Sequence, residues 1–204
     1  MKTEKFSGIA LAILALLYEE PMHPYRMQQL IKERGKDEVI NVSQRASLYQ
    51  TINRLLRVKL IAIRETERDE KRPERTIYEL TEKGRETLLT WMREILSKPT
   101  REFPNFPVAL AYLPLLSPED ARSQLEDRAS ALATEMERLD TELRHGIEIV
   151  PRLFLVETEY LRNIVYTELQ WVQSLIADLR SEQLTWTDEW MRGFAANSSL
   201  DQQE

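Results

Sequence analysis

A mainly α chain in two parts is predicted by three features of the sequence. The parts are an N-terminal winged helix-turn-helix with a two-stranded wing and an all-helical C-terminal dimerisation domain. First, helical periodicity dominates, and only 5 glycines occur in 204 residues, too few for a strand-and-turn architecture. Second, the periodicity switches to strand alternation around "IAIRETE" and "RTIYELT", behind three helical segments and ahead of a fourth. Third, charge divides between the halves. Residues 1–100 hold 19 Lys+Arg and 15 Asp+Glu, net +4, whereas residues 101–204 hold 9 and 19, net -10. Such an imbalance suits a half that faces a polyanion joined to a half with another task.

The first helical segment, Phe6 to Tyr18, is apolar nearly all round through Ile9, Leu11, Ile13, Leu14, Leu16 and Leu17. A helix of that kind is buried on several sides. The two lysines before it faintly mimic a leader peptide, but the same helical grammar continues through "YEEPMHPYRMQQL", so it reads as a buried first helix. Pro21 and Pro24 punctuate the chain, and a second helix from Pro24 to Arg34 stops at Gly35. Asn41 and Ser43 are suitable N-caps for a third, whose Leu48, Tyr49, Ile52, Leu55 and Leu56 collect on one face.

Beyond Leu60 the alternation places Ile61 and Ile63 on one side of a strand. "RDEKRPE" is a polar turn, Ile77 and Tyr78 are the β-formers of a second strand, and the two make a hairpin. Thr81 caps a fourth helix striped by Leu88, Leu89, Met92, Ile95 and Leu96.

"SKPTREFPNFP" carries three of the 9 prolines and marks a boundary, giving domains 1–98 and 108–204 with 99–107 as linker. Val108 to Leu116 reads as a short apolar helix. Ser117 then opens a long one in which Leu125, Ala129, Leu132, Met136, Leu139 and Leu143 follow coiled-coil spacing until Gly146 and Pro151. A last helix is expected from Arg152 to Leu184, with Leu161, Val165, Leu169, Val172, Ile176 and Leu179 on one face and Tyr160, Ile164 and Trp171 beside it. Its apolar faces make Leu125, Leu132, Met136, Leu139, Leu161, Leu169 and Trp171 the expected dimer contacts. The tail "ANSSLDQQE" reads as frayed.

From Val39 to Arg64 there is no carboxylate, although Arg45, Arg54, Arg57, Lys59 and Arg64 all fall there. Opposite the apolar stripe of the third helix stand Ala46, Ser47, Gln50, Asn53, Arg54 and Arg57. Hydroxyls, amides and arginines are the side chains that read base edges and grip phosphates, and a carboxylate among them would be repelled by the DNA backbone. With Gln44, Arg45 and Tyr49 at its start, this helix is the expected DNA reader. Tyr49 is balanced between core packing alone and a ring that packs inward while its hydroxyl meets a phosphate. Lys71, Arg72 and Arg75 in the wing turn are candidate DNA contacts as well. They are interleaved with Glu70 and Glu74, so a solvated loop of mixed charge fits equally.

Three stretches together, "PMHPYRMQQLI", "SLYQTINRLLRVKLI" and "RTIYELTEKGRETLLTWM", resemble the PadR family of bacterial transcriptional regulators over roughly residues 6–96. "EYLRNIVYTELQWVQSLIADL" resembles the helical dimerisation domain of that family's longer-tailed branch. The resemblance implies a dimeric repressor acting on double-stranded DNA at an inverted-repeat operator, with Ser47, Leu48 and Tyr49 as recognition-helix signature. It also implies an aromatic or planar hydrophobic effector near the subunit contact, for which Trp91 is the candidate. Three positions depart from the family pattern: Pro24 and Lys59 stand where glycine is usual, and Gln50 where proline is usual.

Zero cysteines exclude disulfides, thiolate catalysis and cysteine zinc sites, and His23 and His145 have no ligand partner in spacing. His23 is expected to make a local hydrogen bond. No phosphate loop or nucleophile elbow occurs, so neither enzyme activity nor a cofactor or metal is expected. Without an apolar run of about 20 residues, the expected location is the cytoplasm. Two rival readings remain, a winged-helix protein-interaction module and a transcriptional activator of the same superfamily.

Overall fold

The computed structural model describes residues 7–40, 45–69 and 72–187. The chain forms two compact units, Met1–Glu102 and Phe103–Glu204. Architecture follows the sequence reading: a winged helix-turn-helix with a two-stranded antiparallel wing, then helices alone.

In the first unit, α1 spans Gly8–Glu19, capped by Ser7, whose Oγ accepts the Ala10 N–H at 3.3 Å. Helix α2 is Pro24–Glu33. His23 is its N-cap: Nδ1 accepts the Arg26 N–H at 3.0 Å, and the imidazole stacks on Tyr25 with ring centroids 6.2 Å apart. Accepting at Nδ1 leaves the ring proton on Nε2. Pro24 in the first helical position gives up only an N–H that has no intrahelical partner there. Gly35 then enters the left-handed region at φ 62° and ends the helical path before a short 3-10 turn at Lys36–Glu38. Helix α3 is Arg45–Arg57; its expected caps, Asn41 and Ser43, lie outside the described residues.

The wing strands are β1, Ile61–Asp69, and β2, Arg72–Leu80. Ile61 pairs with Leu80 and Ile63 with Tyr78, after which the register slips between Ile63 and Glu65. Ile61 is buried, but Ile63 is 55% exposed, which corrects the expectation of one shared apolar side. The hairpin leaves the core after its first residues, and the irregularity re-aims the rest of the strand. A bridge unforeseen in the sequence holds the base of the wing: Met22 and Tyr78 exchange both backbone hydrogen bonds at 3.1 Å.

Helix α4, Glu82–Ser97, starts at Thr81, whose Oγ1 accepts the Gly84 N–H at 3.0 Å. The same hydroxyl lies 2.9 Å from the Lys59 carbonyl and 3.0 Å from that of Leu60, so one threonine caps α4 and clamps the turn that leaves α3. That closeness dictates Gly84. A Cβ there would sit 2.0 Å from the Leu60 carbonyl oxygen, a backbone atom with no room to move. In that same turn Lys59 adopts φ 59°, the left-handed conformation that favours glycine. Around this frame Ile13, Leu14, Met27, Leu48, Ile52, Leu55 and Leu60 are almost fully buried in one core. Each such side chain contributes about 1.5–3 kcal/mol by leaving water.

In the second unit, the expected helix at Val108–Leu116 is instead α5, Asn105–Ala111, followed by a 3-10 turn at Leu113–Leu115, because Pro114 has no N–H to continue an α-helical ladder. Helix α6 runs Pro118–Ile149, with Ser117 Oγ accepting the Asp120 N–H at 3.2 Å. Pro151 forces a break and a 3-10 turn at Arg152–Phe154, so α7 is Val156–Arg180, shorter at both ends than expected from Arg152 to Leu184. Arg180 pairs with Glu126, Arg162 with Asp140, and Thr158 meets Glu142, an order that makes α6 and α7 antiparallel. Trp186 closes the open end, its Nε1–H donating to the Leu116 carbonyl at 2.9 Å over Ala121, Leu125, Val172, Ile176 and Leu179. The tail lies outside the described residues.

Candidate nucleic-acid interface

Helix α3 divides sharply between two faces. Leu48, Ile52 and Leu55 are inaccessible to solvent, and Thr51 is buried with its hydroxyl donating to the Ser47 carbonyl at 2.7 Å. Gln50, Asn53 and Arg57 are exposed on the other side, and Ser47 is half-buried. Tyr49 is 49% exposed, so the ring is not consumed by the core. Burial is the largest cause that pushes the Tyr78 phenol above its ordinary range, opposed by a hydrogen bond with Thr76 and reinforced by the neighbouring phenol of Tyr49. Tyr49 therefore stands close to the second wing strand.

Arg54 differs from the rest of the set. It is half-buried, and its Nη2 donates to Ser7 Oγ at 3.1 Å, tying the middle of α3 to the cap of α1. The expectation of an arginine wholly on the outer face is corrected: one turn of α3 faces the start of α1. Gln44 and Lys71 lie outside the described residues, as do the side chains of Arg45, Arg72 and Arg75. The register brings the backbones of Arg75 and Glu67, and of Arg72 and Asp69, opposite one another.

Two other expectations change. Trp91 is only 7% exposed and fills the winged-helix core with Leu88, so the indole is a packing element of its own unit. The inward face of α4 runs through Gly84, Leu88 and Trp91, whereas Leu89, Met92, Ile95 and Leu96 of the expected stripe are exposed, so the spacing set the face to one side of the indole. Of the expected dimer contacts, Leu125, Leu139 and Leu169 are buried within the single chain, and Leu132, Met136 and Leu161 are half-buried. Heptad spacing here describes α6 against α7, so these side chains hold the hairpin together. Trp171 alone of that set is largely open, at 47%. Among the exposed apolar side chains of this unit is a group at the turn of the hairpin, Ile147, Ile149, Leu153 and Phe154. The sequence signal for it was the run "GIEIVPRLFLV", read only as a helix stop.

The fold and the outer face of α3 define the class, a winged-helix protein whose third helix is polar and basic on its outer side and free of carboxylates. Residues 13–90 match the family model described as "Transcriptional regulator PadR-like family". The match is to transcriptional regulators and lies wholly within the winged-helix unit. Its fold is similar to that of Bacillus subtilis PadR solved in complex with operator DNA, at 17% identity and a TM-score of 0.68, over 86% of this chain and 99% of that one. PadR from the same organism in complex with p-coumaric acid gives 17% identity and a TM-score of 0.67, over 84% and 98%. The PadR-like regulator BC1756 from Bacillus cereus gives 11% and 0.58, over 85% and 99%. No match was found among curated proteins. Among the described residues, no helix is long and apolar enough to cross a membrane, and no cluster suited to a metal ion occurs.

Proposed function

We propose that the protein is a homodimeric repressor that docks α3 of each copy in successive major-groove faces of an inverted-repeat operator and is released by a small aromatic effector. One observation carries the proposal: the outer face of α3 presents Gln50, Asn53 and Arg57 to solvent, in a segment where every charge is positive. Amides address adenine edges and arginine addresses guanine or phosphate, and the half-exposed Tyr49 is the candidate for a hydroxyl contact to the backbone. The operator and p-coumaric acid complexes of Bacillus subtilis PadR support the DNA and effector parts of this reading by likeness of fold.

Dimerisation is assigned to the C-terminal unit, through the exposed apolar turn of the α6–α7 hairpin. Phe154→Glu should drive the protein to monomer in sedimentation velocity and weaken binding to a full operator while leaving half-site binding intact. Two linked readers gain an effective concentration that a monomer lacks. An unaltered dimer would remove the turn from the interface. DNA reading itself is tested by anisotropy against the region upstream of the protein's own gene and against random duplex, each over a salt series. Specific binding should exceed random binding by about 10³-fold or more, and both should fall steeply with salt. Equal affinity for the two duplexes would sink the operator reading.

A further inference from the structure

We infer that the C-terminal unit carries a binding groove for a neutral planar aromatic molecule with one hydrogen-bonding group, between α5 and the facing stretches of α6 and α7. The groove has a volume of about 680 Å³, inside the range of roughly 300–1,000 Å³ typical of small-molecule sites. Phe106 and Trp171 form its aromatic corner, with ring centroids 6.2 Å apart and planes at 82°. Two rings at right angles offer a third ring one face and one edge at once, the arrangement aromatic groups prefer. Ile164, also exposed, widens the apolar wall beside Trp171.

The charge in the wall selects the ligand. The Arg128 guanidinium lies 3.6 Å over the Phe106 ring, and its Nε donates to Glu168 Oε1 at 2.7 Å, with Nη2 on the same carboxylate oxygen. Cation and carboxylate are thus matched against each other within the lining. An anionic ligand would have to displace Glu168, and a cationic one would have to draw Glu168 off Arg128. A neutral ring disturbs neither. Its polar group would meet the Asn163 amide or the Tyr160 hydroxyl, which line the groove and have no side-chain hydrogen-bond partner among the described residues. The site lies near the start of α6, whereas the apolar turn assigned to a second copy is at the far end of that helix. As the seat of the effector the groove rests on the regulator reading above; as a binding site it does not.

The test uses the whole protein without DNA, so its failure and the failure of the regulator reading stay separate. Titration near neutral pH with 2-naphthol and with its anionic counterpart 2-naphthoate is followed by calorimetry and by tryptophan emission. 2-Naphthol should bind saturably, one per chain, and about tenfold or more tighter than 2-naphthoate. Trp171→Ala and Ile164→Arg should each weaken 2-naphthol by about tenfold or more with the melting temperature unchanged, since both side chains are exposed. Glu168→Gln leaves the guanidinium without its countercharge and should raise 2-naphthoate affinity about tenfold or more. Absence of saturation, 2-naphthoate binding as tightly as 2-naphthol to the native protein, or indifference to both groove variants would overturn the proposal. So would dissociation of the protein by Ile164→Arg in sedimentation, because the groove would then be a subunit contact.

Discussion

The two units of this chain are held together by different means. In the winged helix the decisive contacts engage backbone groups at the turns: the Thr81 hydroxyl on the Lys59 and Leu60 carbonyls, Met22 paired with Tyr78, and Gly84 against Leu60. In the helical unit they are side-chain ones, a heptad seam flanked by Arg128–Glu168, Arg162–Asp140 and Arg180–Glu126. A fold stapled through its backbone tolerates little change at a few positions and holds α3 in a fixed place. A hairpin stapled through side chains spreads its stability over many replaceable contacts, because exposed ion pairs each contribute at most about 1 kcal/mol.

Replacing two glycines should give the largest separation between the units. Gly84→Ala drives a Cβ against a backbone oxygen and should cost about 3 kcal/mol or more, read as a lower melting temperature and a lost DNA complex. Gly146→Ala meets only the Leu155 side chain, whose Cδ2 lies 2.6 Å away but can turn. Alanine gains about 1 kcal/mol in helix propensity there, so the net change should be near zero. Similar losses at both sites would erase the contrast.

Next in size are the arginines of α3. Arg57→Ala should weaken operator binding by about 1–3 kcal/mol with the thermal melt unmoved, because Arg57 is exposed. Arg54→Ala should weaken binding and also lower stability by about 1 kcal/mol, because its hydrogen bond to Ser7 joins α3 to the cap of α1. A melt that treats the two variants alike would show that the Ser7 contact contributes nothing to folding.

Smaller still is the effect of relieving positive φ. Lys59→Gly and Glu182→Gly should each stabilise their unit by up to about 1 kcal/mol, since φ values of 59° and 58° strain any side chain. Denaturant midpoints would show it, and a loss at either site would mean the side chain contributes more than the strain costs.

The smallest effect concerns acid. A bidentate hydrogen bond from Arg34, Nη1 and Nη2 each at 2.7 Å, holds the Glu19 carboxyl below its ordinary value. Its contribution is present above the unfolded carboxylate range and is lost as pH falls through the lowered folded value. Glu135 beside Arg138 behaves likewise in the other unit, again through a hydrogen bond first. Both are well exposed, so Glu19→Gln and Glu135→Gln should each flatten the acid limb of stability by less than about 1 kcal/mol. A larger effect at Glu19 alone would rank its interhelical bridge above the intrahelical one.

Most of the winged helix was legible because its signals are local. A threonine before a helix, a glycine three residues on, a change of period and a charge of one sign can all be read without knowing what lies across the core. What escaped were relations between distant segments: Met22 beside Tyr78, Arg54 turned towards Ser7, and Phe106 brought to Trp171 from a stretch that reads as linker. Trp91 and the heptad leucines show the same limit from the other side. Their spacing says that they are apolar-facing, and says nothing about whether the surface they face belongs to the same chain or to another.

By itself, the sequence determined the order of the elements, that a wing follows the third helix, and that this helix is stripped of carboxylates. These follow from steric and electrostatic preferences acting over a few residues. Only the tertiary structure decided which apolar side chains the hairpin uses up and which it leaves at its turn, and that an ion pair neutralises the wall of an aromatic groove. Burial and charge pairing are properties of the distance between segments, and that distance is a result of folding the whole unit.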